Sequence, residues 1–333
     1  MFLIIRGFLF GNFIPYLLFD ISIYTSIVFL TYFKYNYKSY YSLIPTLFAK
    51  LLIVSIFFVL IVVFFYSDFG NLATRSLLGD NNSMVDDSWI IGPLIIAPFI
   101  VPFIGSMKMH LKFAVLFANL LLLLFGVLTA TRSYIVIVIV ALLSLITFRK
   151  FSSIKFFFYG FLALLMFLFV FHSDFYKKSV LADQINFVGE RFVMEGDISN
   201  GRSSEVVGLF SEFSFSEIIL GRGAGAEQKF GFWNDIRGSQ EHGINFTHFG
   251  FLNLILKGGF LLLLLIYGMA FYSLMIFLKY GEKKYFFVVL IYLIAELSHT
   301  LFINYFTVLF LWLGISLAIQ LRLGKNKNVI SLE

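Results

Sequence analysis

Apolar residues run along this chain in long unbroken blocks separated by short polar connectors, without the two-residue alternation of a half-buried strand. A hydrocarbon layer of roughly 30 Å asks for about 17 to 25 apolar residues per spanning helix. Such blocks cover 8–33, 45–66, 90–106, 113–131, 133–148, 156–172, 250–278, 285–303 and 305–321, with 90–106 and 133–148 at the short limit. The pattern predicts an all-α fold: a polytopic transmembrane helix bundle of about nine spans, with one large external loop containing short helices. The expected organisation is a first bundle of six spans over 1–172, the loop over 173–250, and a last three spans with a cytoplasmic tail over 251–333.

Charge sets the expected orientation. Lys34, Lys38, Lys108, Lys112, Arg149, Lys150, Lys155, Lys279, Lys283, Lys284, Arg322, Lys325 and Lys327 fall in connectors on one side of the helix count. The excess of Lys and Arg in short cytoplasmic loops assigns that side to the cytoplasm. Segment 67–89, the tight turn at Arg132, the loop 173–250 and a short turn near Asn304 then lie outside. Residues 1–33 lack the basic start and small-residue cleavage site of a signal peptide, so a retained span is expected there.

Composition agrees with this picture. The chain is 60% hydrophobic and only 13% charged, against roughly 25% charged in soluble domains. The net charge of +6 is what cationic cytoplasmic loops produce, so no nucleic-acid partner is expected. With no cysteine there is neither a disulfide framework nor a thiolate metal site.

Candidate chemistry gathers at the outer side. Arg132, within LTATRSYIVIV, sits in the shortest connection of the chain, flanked by Thr129, Thr131 and Ser133. It reads either as a snorkelling interfacial cation or as a fixed guanidinium with hydroxyl donors for a phosphate. Arg202 opens a segment of helical spacing, GRSSEVVGLFSEFSFSEII, whose amino end favours anions. Arg191 and Arg222 are further loop cations. The run GRGAG at 221–225 looks like a phosphate cradle but lacks the following Lys-Ser/Thr and the preceding strand. His248, where the loop returns to an apolar block, is either a satisfied interfacial group or a general base. His110 and His172 at other span ends have the first reading. Glu241, His242 and His248 lack zinc-protease spacing and Asp86-Asp87 lacks further ligands, so no metal or other cofactor is expected. Glu296 and His299, one turn apart in an apolar block, read as a proton relay or a mutual structural pair, and Asp20 as an isolated buried acid.

In this order the residues resemble the O-antigen polymerase and ligase superfamily, the Wzy-like membrane glycosyltransferases. The TATRS run from Thr129 to Ser133 is similar to the family's Thr-Gly-Ser-Arg-Ser/Thr signature. Arg202 followed by LGRGAG matches its loop helix and Leu-Gly-x-Gly turn. His248, Leu252 and Gly258 match its His-Asn-x-x-Leu re-entry and following glycine, with Phe249 in place of Asn and Glu205 where an aromatic often stands. The likeness covers about residues 113–275.

The resemblance implies polymerisation of an O-antigen or capsule-type polysaccharide from undecaprenyl-diphosphate-linked glycan, at the outer face of the bacterial cytoplasmic membrane. His248, Arg132 and Arg202 would be catalytic, and Arg191, Arg222, Thr131, Ser133 and Glu241 substrate-binding, without cofactor. Membrane lipid, a flippase and a chain-length regulator are the implied partners. Alternatives are an O-antigen ligase using a lipid-core or protein acceptor, and a lipid-linked oligosaccharide flippase in which Glu296 and His299 do the work.

Overall fold

The computed structural model describes residues 2–26, 28, 29, 32, 37–65, 92–128, 132–147, 206–227, 247, 249–298 and 305–323. Among them every regular element is helical and none is a strand. The chain divides into two compact units, one of Met1–Ile44 with Gly196–Glu333 and one of Pro45–Glu195. Among the described residues two helices are long and apolar enough to cross a membrane by length and composition, Leu43–Ile61 and Gly250–Tyr280, and several shorter apolar helices accompany them. The apolar block 156–172 lies outside the described residues.

In the first unit the block 8–33 does not form one helix. Helix α1 (Phe2–Leu9) stops where Gly11 takes a left-handed φ of 67°, and α2 (Ile14–Thr25) starts with Pro15 in its first turn. A glycine past a helix end and a proline at a helix start are the residues such a break requires. Two loop helices follow, α7 over 206–212 and α8 (Phe215–Leu220). The sequence Ser214-Phe-Ser-Glu217 starts α8 with a reciprocal capping box: Ser214 N–H donates to Glu217 Oε2 at 2.7 Å and Glu217 N–H to Ser214 Oγ at 3.3 Å.

Both loop helices pack on α9 (Gly250–Tyr280), with Leu209 and Phe213 meeting Leu252, Ile255 and Leu256 in one apolar cluster. This part of the predicted loop is therefore anchored on the bundle. Helix α9 is itself broken at Gly259, whose φ is 64° and ψ −170°. Before the break, Leu252 through Gly259 are all buried; after it, Leu261, Leu264, Leu265, Met275 and Leu278 are exposed along one face. The first half is thus enclosed by protein and the second presents an apolar side outward. Helices α10 (Lys283–Ser298) and α11 (Tyr305–Arg322) complete the unit around Tyr292, Phe310 and Trp312. Trp312 Nε1–H donates to Ser26 Oγ at 2.8 Å, tying α11 to the end of α2.

The other unit takes most of α3 (Tyr37–Phe65), then α4, α5 (Met109–Leu128) and α6 (Arg132–Thr147). Helix α3 starts earlier than the block 45–66 and carries Pro45 inside it. Segment α4 joins 3₁₀ turns at Gly92–Ile96 and Val101–Ser106 through an α turn at Ala97–Ile100, with Pro93, Pro98 and Pro102 near the starts of the three pieces. Because a 3₁₀ turn rises about 2.0 Å per residue, this short run reaches roughly 28 Å. Gly126 lets α5 approach α6, since a Cβ there would lie 3.1 Å from Tyr134 Cβ.

A side chain at Gly259 meets two obstacles, the positive φ and the backbone of Ile219 and Leu220 against its Cβ position. Gly281 has φ 75° with open space around it, and Gly268 has open space and no positive φ. Gly259→Ala is expected to lower the thermal midpoint in detergent far more than Gly281→Ala, where left-handed strain alone costs about 1–2 kcal/mol. Gly268→Ala is expected to leave it unchanged or raise it. Equal midpoints for the Gly259 and Gly281 variants would show that the break carries no packing constraint.

Candidate functional site

A polar locus lies in the first unit, where the breaks in α1–α2 and in α9 meet the glycine-rich turn 221–226. Breaking α9 at Gly259 leaves carbonyls at the end of its first half without intrahelical donors. The turn supplies them: Arg222 N–H donates to Leu256 O at 3.0 Å and Gly223 N–H to Lys257 O at 2.8 Å. On its other side Ala224 N–H donates to Leu3 O at 2.9 Å, while Asn12 Nδ2 donates to the carbonyls of Arg222 (3.0 Å) and Ala224 (2.8 Å). Arg6 Nε donates to Gly221 O at 2.5 Å. Glycine is required because the backbones touch: a Cβ on Gly225 would lie 2.7 Å from Leu17 N, and one on Gly223 would enter the backbone of Gly7.

At the centre Lys257 Nζ meets Asp20 Oδ2 at 2.7 Å, and both residues are buried. Each charge has a second partner in the turn: Gly225 N–H donates to Asp20 Oδ2 at 2.6 Å, and Lys257 Nζ to Ala226 O at 2.9 Å. Asp20, expected to stand alone, is one half of an ion pair closed from the far end of the sequence. A buried pair is tolerable only when both members are matched and hydrogen-bonded, as here.

Every N–H from Gly221 to Ala226 is donated to a protein oxygen, the remaining two running Gly221 to Glu217 O and Ala226 to Gly223 O. A phosphate cradle needs those donors pointing at the ligand. The turn is therefore a backbone clamp, in keeping with its missing cradle residues.

Arg222 stands at the rim with its side chain 23% exposed. Its Nε lies 2.8 Å from Glu217 Oε1, its Nη2 donates to Glu212 O at 3.2 Å, and its guanidinium stacks 4.2 Å over the Phe213 ring. Burial pushes the Glu217 carboxyl up, but the bonds from Ser214 and the Arg222 guanidinium outweigh it and hold the group below the ordinary glutamate range.

Arg132 and Ser133 are the first two residues of α6, in the other unit. Thr131, Arg191, Arg202, Glu241, His248 and His299 lie outside the described residues. Lys257, Arg6 and Asn12 were not singled out from sequence. The signal for Lys257 was present, as one lysine inside the apolar run FLNLILKGGF.

Comparison with protein-family models, curated proteins and solved structures gives no significant match.

Two tests follow. Asp20→Asn and Lys257→Met each strand a buried charge and are expected to cost about 3–5 kcal/mol. The double variant strands none and keeps an acceptor at position 20, so it should be more stable than either single variant by detergent melts. A double variant no better than the worse single would show that the charges do not interact. For Glu217 the folded pKa is depressed, so its contribution is present above the unfolded carboxyl pKa and lost as pH falls through the folded one. The stability gap between wild type and Glu217→Gln should therefore shrink on acidification, and a gap constant with pH would remove the ion pair from the account.

Proposed function

We propose that this chain is a polytopic membrane glycosyltransferase of the polysaccharide-polymerase type, with about nine spans and residues 173–250 on the outer side of the bacterial cytoplasmic membrane. Its donor is an undecaprenyl-diphosphate-linked glycan and its acceptor a lipid-linked repeat unit. The acceptor hydroxyl oxygen bonds the anomeric carbon as the bond from that carbon to the diphosphate breaks. The leaving diphosphate keeps the electron pair, and the hydroxyl proton passes to His248. Negative charge grows on the diphosphate, so the fixed guanidinium groups of Arg132 and Arg202 stabilise the transition state. Thr131, Ser133, Arg191, Arg222 and Glu241 bind the substrate's polar groups.

One observation carries the reading. The glycine turn that follows the loop helix and the segment that follows His248 are bonded backbone to backbone, through Arg222 N–H to Leu256 O and Gly223 N–H to Lys257 O. Two motifs separated by more than twenty residues thus form one rigid piece, as an active-site wall requires. A transporter of lipid-linked oligosaccharide is the second reading, favoured by two interrupted helices meeting at a buried Asp–Lys pair.

Arg132→Ala, Arg202→Ala and His248→Ala, expressed in a strain lacking the native gene, are expected to lower polymer yield by about 10²-fold or more each. Gels of surface polysaccharide and extraction of the lipid-linked intermediate check this. Polymer of full length in all three variants would remove the site. Full-length polymer retained on its carrier would indicate a ligase, and repeat units trapped at the inner leaflet a transporter.

A further inference from the structure

The break at Gly259 divides α9 unequally. From Phe260 to Tyr280 the helix rises roughly 30 Å at about 1.5 Å per residue. That part alone matches the hydrocarbon thickness of a bilayer, roughly 30 Å. It carries the exposed apolar face of Leu261, Leu264, Leu265, Met275 and Leu278, and Lys279 stands at its far end. Lysine there is what a cytoplasmic boundary attracts. With α9 in a membrane, the break lies at the opposite boundary, and so does whatever packs beside it.

Both loop helices pack there. A Cβ on Gly259 would enter the backbone of Ile219 and Leu220 at the end of α8, and the Phe210 ring of α7 lies 6.3 Å from the Phe260 ring. Leu209 and Phe213 fill the cluster beneath these helices, yet four apolar residues remain outside it. Val207 and Phe210, three apart on α7, are exposed on one face, as are Phe215 and Ile219, four apart on α8. Phe215 is 80% exposed and Val207 66%. The capping box explains neither, since it uses Ser214 and Glu217 alone. Glu212, two residues after Phe210, falls on the other side of α7 and is exposed as well. Short helices with one apolar and one polar outer side have the form of interfacial helices, whose apolar side sinks about 5–10 Å into the boundary between head groups and acyl chains. Lipid is the occupant that continuity favours. Through Phe260 and Gly259 the apolar faces of α7 and α8 adjoin the face that begins at Leu261.

We propose that the apolar faces of α7 and α8, carried by Val207, Phe210, Phe215 and Ile219, are immersed in the outer lipid leaflet, so that this part of the loop is a membrane-surface element. The proposal rests on the membrane reading given above and not on the transfer chemistry. Because the chain has no cysteine, single cysteines report without background. Val207→Cys, Phe215→Cys, Glu212→Cys and Leu264→Cys are made in the full-length protein, spin-labelled and reconstituted in phosphatidylcholine vesicles. Collisions with oxygen, which concentrates in hydrocarbon, are compared with collisions with a water-soluble nickel chelate. Labels replacing Val207 and Phe215 are expected to favour oxygen at a depth of about 5–10 Å. The label replacing Leu264 should favour oxygen and lie deeper, and the one replacing Glu212 should favour nickel. If the Val207 and Phe215 labels favour nickel while the Leu264 label favours oxygen, the proposal is overturned and the membrane reading stands. Shielding of the first two from both reagents would place protein over the face and overturn it too. A Leu264 label that favours nickel takes α9 out of the membrane, and the proposal with it. Phe215→Trp, which keeps an aromatic ring there, should add fluorescence that brominated phosphatidylcholine quenches; added fluorescence untouched by that lipid would equally sink the proposal.

Discussion

The first unit depends on backbone atoms approaching closer than any side chain would permit. Where α9 breaks at Gly259, its carbonyls need donors, and the donors come from a turn whose glycines at 221, 223 and 225 all have positive φ. The same turn reaches back to Leu3, Asn12 and Asp20, so two interrupted helices are held by one peptide segment. Interrupted helices expose polar backbone, and in an apolar surrounding that backbone must be matched from within the protein. The clamp and the Asp20–Lys257 pair meet this requirement together, because each charge also takes one backbone partner from the turn.

This arrangement separates rigidity from chemistry. The backbone donors of the turn are fully used within the protein, so only side chains at this rim keep polar groups turned outward. Arg222 is the cation placed there, and Glu217, Glu212 and Phe213 limit its freedom. A guanidinium already oriented loses little entropy when an anion replaces or joins its partner.

Much of the helical character was legible in the residues, because long apolar blocks leave little else for the backbone to do. The helical spacing of 201–219 announced helix in the loop but not its division at Phe213 and Ser214, where the capping box starts a second helix, and a glycine turn was visible at 221–225. The break inside 8–33 was not foreseen: Gly11, Asn12 and Phe13 hardly interrupt an apolar run, and the donors that make the break tolerable come from the distant turn. The Asp20–Lys257 pair was hidden for a similar reason. Each residue alone reads as an isolated charge, and no local periodicity links positions on either side of the second unit. The 3₁₀ turns of α4 show another limit, since residue counts converted at α-helical rise understate the reach of a proline-spaced segment.

The separation of 205 residues between Asp20 and its donor Gly225 also has a meaning in time. A ribosome adding about 5–20 residues per second needs roughly 10 to 40 seconds to make the intervening chain. Throughout that interval α1 and α2 exist without the turn that fits between them, and Asp20 lacks its lysine. The buried hydrogen bonds of the amino-terminal segment to the turn can therefore be completed only after the turn has been made. The order of synthesis thus makes the closing of this clamp a late event in the birth of the molecule.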